Sequence, residues 1–140
     1  MAILSGLCDV AKLSLWNKEI DLGADTFYMA LYTSSATLNS STTVYSATNE
    51  VSGSGYVAGG VALTNVAPVL SNQSVLITFQ DPVDFSATLS GVRGALIYNS
   101  SFADQAFYVW DFGSDQASVG GLLRVRMPSS AAGTGLIIHR

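Results

Sequence analysis

Charge is scarce in this 140-residue sequence: Asp, Glu, Lys and Arg make up 11% of it, against about 25% in an average soluble domain. Six Lys and Arg are scattered and none cluster, and the net charge is −4. A nucleic-acid partner needs a basic patch to neutralise phosphates, so DNA and RNA are excluded as expected partners. A polybasic membrane anchor is excluded on the same ground. Cysteine occurs once, at Cys8, which rules out an internal disulfide and a thiolate metal cluster within one chain. Histidine occurs once, at His139. A Ser–His–acid site or an imidazole metal site would have to use it, one residue from the end of the sequence, where a base is poorly preorganised. No run of eighteen apolar residues exists, so no transmembrane helix is expected. The opening MAILSGLCDVAK lacks a basic leader and carries Asp9 and Lys12 directly after a short apolar run, so export by a signal peptide is not expected.

What the chain does have is apolar residues (49%), thirteen glycines and many Ser and Thr. At this length one domain with a real core is expected. With so few charges, its surface is either a neutral Ser/Thr surface, as in many β-proteins, or one covered by copies of itself or by a partner. The sequence turns on Asn49 to Gly60, NEVSGSGYVAGG, with four of the glycines. Glycine tolerates positive φ and close backbone approach, so this reads as a shaped turn.

Before the turn, Ile3, Leu4, Leu7, Cys8, Ala11, Leu15 and Trp16 recur at three- and four-residue steps. The spacing predicts a helix over residues 3–20, stopped near Gly23. Its apolar stripe packs on the domain's own sheet, or Trp16 docks on a neighbouring subunit. A β-rich body is expected over 27–140. Phe27–Thr33 alternates as a strand, and Val44 and Tyr45 suit a short edge strand. Strands are also expected at 61–66, 75–80, 92–98, 106–112, 122–127 and 136–139, with 92–98 and 106–112 as a hairpin. Residues 83–91 read as irregular, with a short helical turn or a short strand as the alternatives. Turn signals every ten or so residues then predict a mainly β fold, a single-domain antiparallel β-sandwich or barrel of about seven strands with one N-terminal helix.

Candidate chemistry is thin. GSGYVAGG lacks the Lys of a phosphate-binding loop and leads into a strand. DFGSD, at Asp111 to Asp115, has the letters of a kinase metal motif without a kinase around it. Five aspartates, Asp81, Asp84, Asp104, Asp111 and Asp115, have no EF-hand spacing and suit turns. Arg124 and Arg126 share one strand face, either as a stripe that pairs with a neighbour's carboxylates or as solvated side chains with buried stems. Among the aromatics, Phe107 and Phe112 fall on opposite faces of one strand, so one face suits an interface. No catalytic residue, cofactor site or metal site is assigned, and no enzyme is expected.

Four segments in order, Met29–Gly60, VRGALIYNSS at Val92–Ser101, VWDFGSD at Val109–Asp115 and the closing strand near Leu136, resemble a family of small structural proteins encoded in tailed-bacteriophage virion gene clusters. The most specific part combines Tyr45, Asn49, Glu50, Gly53, Gly55, Tyr56, Gly59 and Gly60. The resemblance implies a non-enzymatic virion component, assembled in the host cytoplasm, that works as a homo-oligomer against other virion proteins such as the major capsid protein. Capsid decoration (cement) is the first expectation. A collar, tail or host-binding fibre part is the alternative. Apart from the resemblance, Tyr and Trp among the strand residues leave a small-ligand or carbohydrate-binding β-sandwich module as a further one.

Overall fold

The computed structural model describes residues 3–71, 73–81, 83–127 and 137–139, with the side chains of Ser71 and of 137–139 excepted. It is mainly β and antiparallel, sandwich-like and not closed into a barrel.

The chain starts extended. Leu4 N–H donates to the Leu38 carbonyl, and β1 (Gly6–Leu7) pairs with Val109 and Tyr108. The sheet edge therefore captures residues that the periodicity assigned to a helix, which is shortened to α1 (Asp9–Trp16). Asp9 in the first turn suits the positive end of the helix dipole. The helix stops before Gly23, at a Schellman-type end. Lys18 adopts φ 62°, its N–H reaches the Leu15 carbonyl, and the Glu19 N–H reaches Ser14.

β2 (Phe27–Tyr32), β7 (Val92–Asn99) and β8 (Gln105–Gln116) form the middle of a five-stranded sheet ordered β1-β8-β7-β2-β3, with β3 being Val61–Ala62. The β7–β8 hairpin matches the sequence expectation and is longer at its far end. Beyond β3, Asn65 makes only an isolated bridge, to Phe79. Val44 likewise makes one bridge, to Gln105. β4 (Val69–Ser71) and β5 (Ser74–Ile77) form a three-stranded sheet with β10 (Ile137–His139). Residues 83–91 are not wholly irregular. β6 (Val83–Phe85) pairs with β9 (Leu123–Val125), because VDF and LRV each place two apolar side chains inward around one charged residue.

Both faces of the middle strands are covered, as the apolar alternation on both faces of Phe27–Tyr32 implies. Phe27, Met29, Leu31, Leu96, Ile97, Phe107 and Val109 are fully buried. Phe27, Phe79 and Phe107 pack ring against ring with centroids 5.0–6.4 Å apart, joining the large sheet to the segment after β5. Val83, Phe85, Leu123 and Val125 of the ribbon belong to the same core. Cys8 is buried in it, and burial pushes its thiol pKa up to about 12, so this is a structural thiol.

Candidate functional site

The Asn49–Gly60 turn runs along the free edge of β2. β3 pairs with Tyr28 and Met29, while Val51 N–H donates to the Leu31 carbonyl and Thr33 N–H to the Asn49 carbonyl. Between these two pairings the Leu31 N–H has no strand partner. The Tyr56 hydroxyl fills the gap, accepting from Leu31 N–H at 3.1 Å. That hydroxyl donates in turn to Glu50 Oε2, which also accepts from Gly59 N–H at 2.8 Å. Tyr45 donates to the other carboxylate oxygen, Oε1, at 2.6 Å. Glu50 thus ties together the strand bridge, the glycine turn and the preceding loop, and charge-assisted hydrogen bonds of this kind are the strong ones.

Glycine is required where the turn meets the body. Gly60 has φ 83°, and a Cβ there would lie 1.8 Å from the Met29 carbonyl oxygen. A Cβ on Gly53 would lie 2.1 Å from the Thr88 carbonyl oxygen. Close approach also lets Thr88 N–H bond the Ser54 carbonyl at 2.8 Å. Gly55 packs on Ser86 in the same way. Gly59 lies under Tyr98, whose hydroxyl donates to the Gly59 carbonyl at 2.7 Å. Asn49 adopts φ 63° and ties its amide to the Ser35 carbonyl at 3.2 Å.

Four tyrosines surround this knot. Tyr45 stacks on Tyr98 at 4.7 Å, Tyr56 lies on Phe85 at 6.2 Å, and Tyr32 donates to the Ser46 carbonyl at 2.6 Å. Burial, reinforced by the Glu50 carboxylate, holds Tyr32, Tyr45 and Tyr56 well above the usual phenol pKa. Tyr98 is raised to about 12, by burial and then by the nearby Asp104 and Glu50 charges. These phenols are structural donors, not proton shuttles near neutral pH. The sequence pattern marked the glycines, Glu50, Tyr45 and Tyr56. It did not show that Tyr98 and the Leu31 N–H meet this turn, because those contacts depend on how β2 and β7 pack.

The second candidate region is the β6–β9 ribbon. Arg124 and Arg126 do share a face, and they pair within their own chain, which settles neither on a neighbour's carboxylates nor on solvated side chains. Arg124 Nε and Nη2 bond Asp84 at 2.8 and 3.0 Å, and Arg126 bonds Asp81 at 2.7–3.1 Å. The Arg hydrogen bonds hold both carboxyls below the usual carboxylate range, and Met127 N–H adds to the effect at Asp81. The legible signal was register, since Asp84 lies directly opposite Arg124. A groove of about 300 Å³ opens between the outer part of β8 and this ribbon, lined by Trp110, Phe112, Gln116, Arg124 and Arg126 among others. Phe107 is buried and Phe112 half-buried, as expected of opposite faces.

Trp16 is not part of the helix face that packs inward. Ala11 and Ser14 are buried there, while Leu13 and Trp16, one turn apart, point outward and are 64% and 78% exposed. Of the aspartates, Asp111 and Asp115 flank Arg93, with N–O separations of 3.7 and 3.3 Å. Asp111 also accepts from Gly113 N–H, a local turn bond. Among the described residues no group of three or more His, Cys, Asp or Glu is placed to hold a metal ion, and no helix is long and apolar enough to cross a membrane. The side chain of His139 lies outside the described residues. In comparisons with known proteins, the chain matches no family model, no curated protein and no solved structure.

Proposed function

We propose that this chain is a structural component of a tailed-bacteriophage virion, a decoration or cement protein that binds the assembled shell as an oligomer. The observation that carries most weight is the position of its exposed apolar side chains. Leu13 and Trp16 form an outward pair on α1, and Leu4, ahead of β1, is 61% exposed. Leu70, 77% exposed, lies on β4, an outer strand of the smaller sheet. Among the described residues no strand pairs with the outer side of β4, and an open strand edge that also presents an apolar side chain is a template for pairing with another chain. On a surface this short of charge, covering apolar area at about 25 cal/mol per Å² is the main driving force available for association.

The glycine turn supports the reading in a second way. Its residues carry the family resemblance, and they form a rigid corner with no catalytic group. Rigid surfaces lose little entropy on docking, which suits a protein whose work is fitting between subunits. The test is to mix the purified chain with phage shells that lack it. Saturable binding at a symmetry-matched number of copies supports the reading. Absence of saturable binding to shells, together with a labelled copy located at the collar or tail, moves the protein to the alternative position. Absence from mature particles overturns it.

A further inference from the structure

The groove between β8 and β9 lies outside the apolar contacts proposed above for association, which fall on Leu4, Leu13, Trp16 and Leu70. One wall is aromatic: Trp110 and Phe112 alternate on β8, both half-buried, with ring centroids 5.4 Å apart and planes at 69°. The other wall is polar and fixed. Each guanidinium has five N–H donors in a rigid fork. Asp84 engages two nitrogens of Arg124, and Asp81 engages Nε and Nη2 of Arg126. The donors left over are therefore held in orientation before any ligand arrives. Gln116 adds an amide at one end, and Asp111 lines the same groove.

The charge balance selects among ligands. Arg124 and Arg126 are each neutralised by a carboxylate, and Asp111 is matched by Arg93. The groove has no excess positive charge with which to attract a phosphate, sulfate or carboxylate. What it offers is an apolar ring surface facing preoriented donors and acceptors. A pyranose has the complementary form, with C–H groups on one face and a rim of hydroxyls that both donate and accept. The volume, about 300 Å³, stands at the lower end of ligand-sized clefts.

We propose that this groove binds a neutral saccharide of one or two pyranose rings, packed on Trp110 and Phe112, with its hydroxyls held by Arg124, Arg126 and Gln116. The assignment does not depend on where the chain sits in a particle.

The test uses the full chain carrying Trp16→Phe, which leaves Trp110 as the sole tryptophan of the two in the sequence. Emission is followed while maltose, cellobiose, lactose and diacetylchitobiose are added, with sialyllactose and a heparin disaccharide as anionic comparators. The expected result is a saturable shift with at least one neutral disaccharide and a weaker response to both anionic ones. Calorimetry on Gln116→Ala, an exposed position, and on Trp110→Leu should each show about tenfold weaker binding. A folded chain that binds none of the neutral sugars overturns the proposal. So does a preference for the anionic ligands, or an affinity unchanged in both variants.

Discussion

Replacing Glu50 by Ala removes one side chain and three hydrogen bonds, and its cost can be worked from the geometry. The carboxylate accepts from the Tyr45 and Tyr56 hydroxyls and from Gly59 N–H. Tyr45 lies near the surface and can turn to water. Tyr56, against Leu31 of β2, and Gly59, against Tyr98, are half-buried, and a fully buried donor left unpaired costs about 1–3 kcal/mol. Two half-buried donors, partly rescued by water, give an expected loss of about 2–4 kcal/mol. Tyr56→Phe removes one of these bonds and also the acceptor for Leu31 N–H, for an expected loss of about 1–3 kcal/mol. Because the two residues share a bond, the double variant should lose less than the sum, with a coupling of about 0.5–3 kcal/mol. Urea unfolding of the four proteins measures all of these terms. In a chain of this size each kcal/mol should also lower Tm by about 4 °C. The reasoning fails if Glu50→Ala lies within about 0.5 kcal/mol of the parent or if the two substitutions add.

Gly60→Ala and Gly113→Ala share the same backbone angle, φ 83°, but a Cβ meets the Met29 carbonyl at the first and open space at the second. The second should cost only the left-handed strain, about 1–2 kcal/mol, while the first should fall well below it or fail to fold, as thermal melts of both will show. At alkaline pH, the raised phenol pKa values of Tyr32, Tyr45, Tyr56 and Tyr98 favour the protonated form in the folded state. Their contribution is therefore complete below the unfolded phenol pKa of about 10 and declines as pH rises toward the folded values. Urea midpoints should be level from this source up to about pH 9 and drop above pH 10, with the ultraviolet signal of phenolate appearing together with unfolding. At acid pH the lowered Asp81 and Asp84 pKa values work the other way. Their stabilisation is present above the unfolded carboxyl pKa of about 3.9 and is lost as pH falls, and Asp84→Asn should flatten that acid limb.

The middle strands of the large sheet, β2, β7 and β8, were legible because their alternation is local. Phe27–Tyr32, the β7–β8 hairpin and the ends of the glycine turn follow from residue order alone. The helix was overextended because Ile3, Leu4 and Leu7 fit a helical period, and only the sheet edge formed by Val109 and Tyr108 decides that this segment is extended. No local pattern overrides a strand partner a hundred residues away. Val83–Phe85 was left open between irregular structure, a helical turn and a strand for a related reason: three residues are too short for a period, and their identity as a strand depends on Leu123–Val125. In the candidate sites, Glu50, Tyr56 and the glycines were visible as an unusual composition. The aromatic–arginine groove was not, since Trp110 and Arg126 meet only when β8 and the ribbon are packed.

The same packing pairs most of the chain's few described cations within the chain. Among the described residues, Lys12, Arg93, Arg124 and Arg126 each face a carboxylate of their own chain, which leaves one further described cation, Lys18. The protein therefore projects little unpaired positive charge for long-range steering, and rim charges chiefly set association rate and salt response. Apolar contact has no such dependence. If Leu13, Trp16 and Leu70 make the contacts that hold copies to each other or to a shell, the association should hold nearly constant from 0.05 to 0.5 M salt, a range over which screening shortens from beyond about 10 Å to a few ångströms. Sedimentation across that range, with Trp16→Ser and Leu70→Ser alongside, separates the two mechanisms. Loss of association in the serine variants at every salt concentration is the expected result, and steep weakening of the parent with salt would mean that charge, not apolar area, makes the contact.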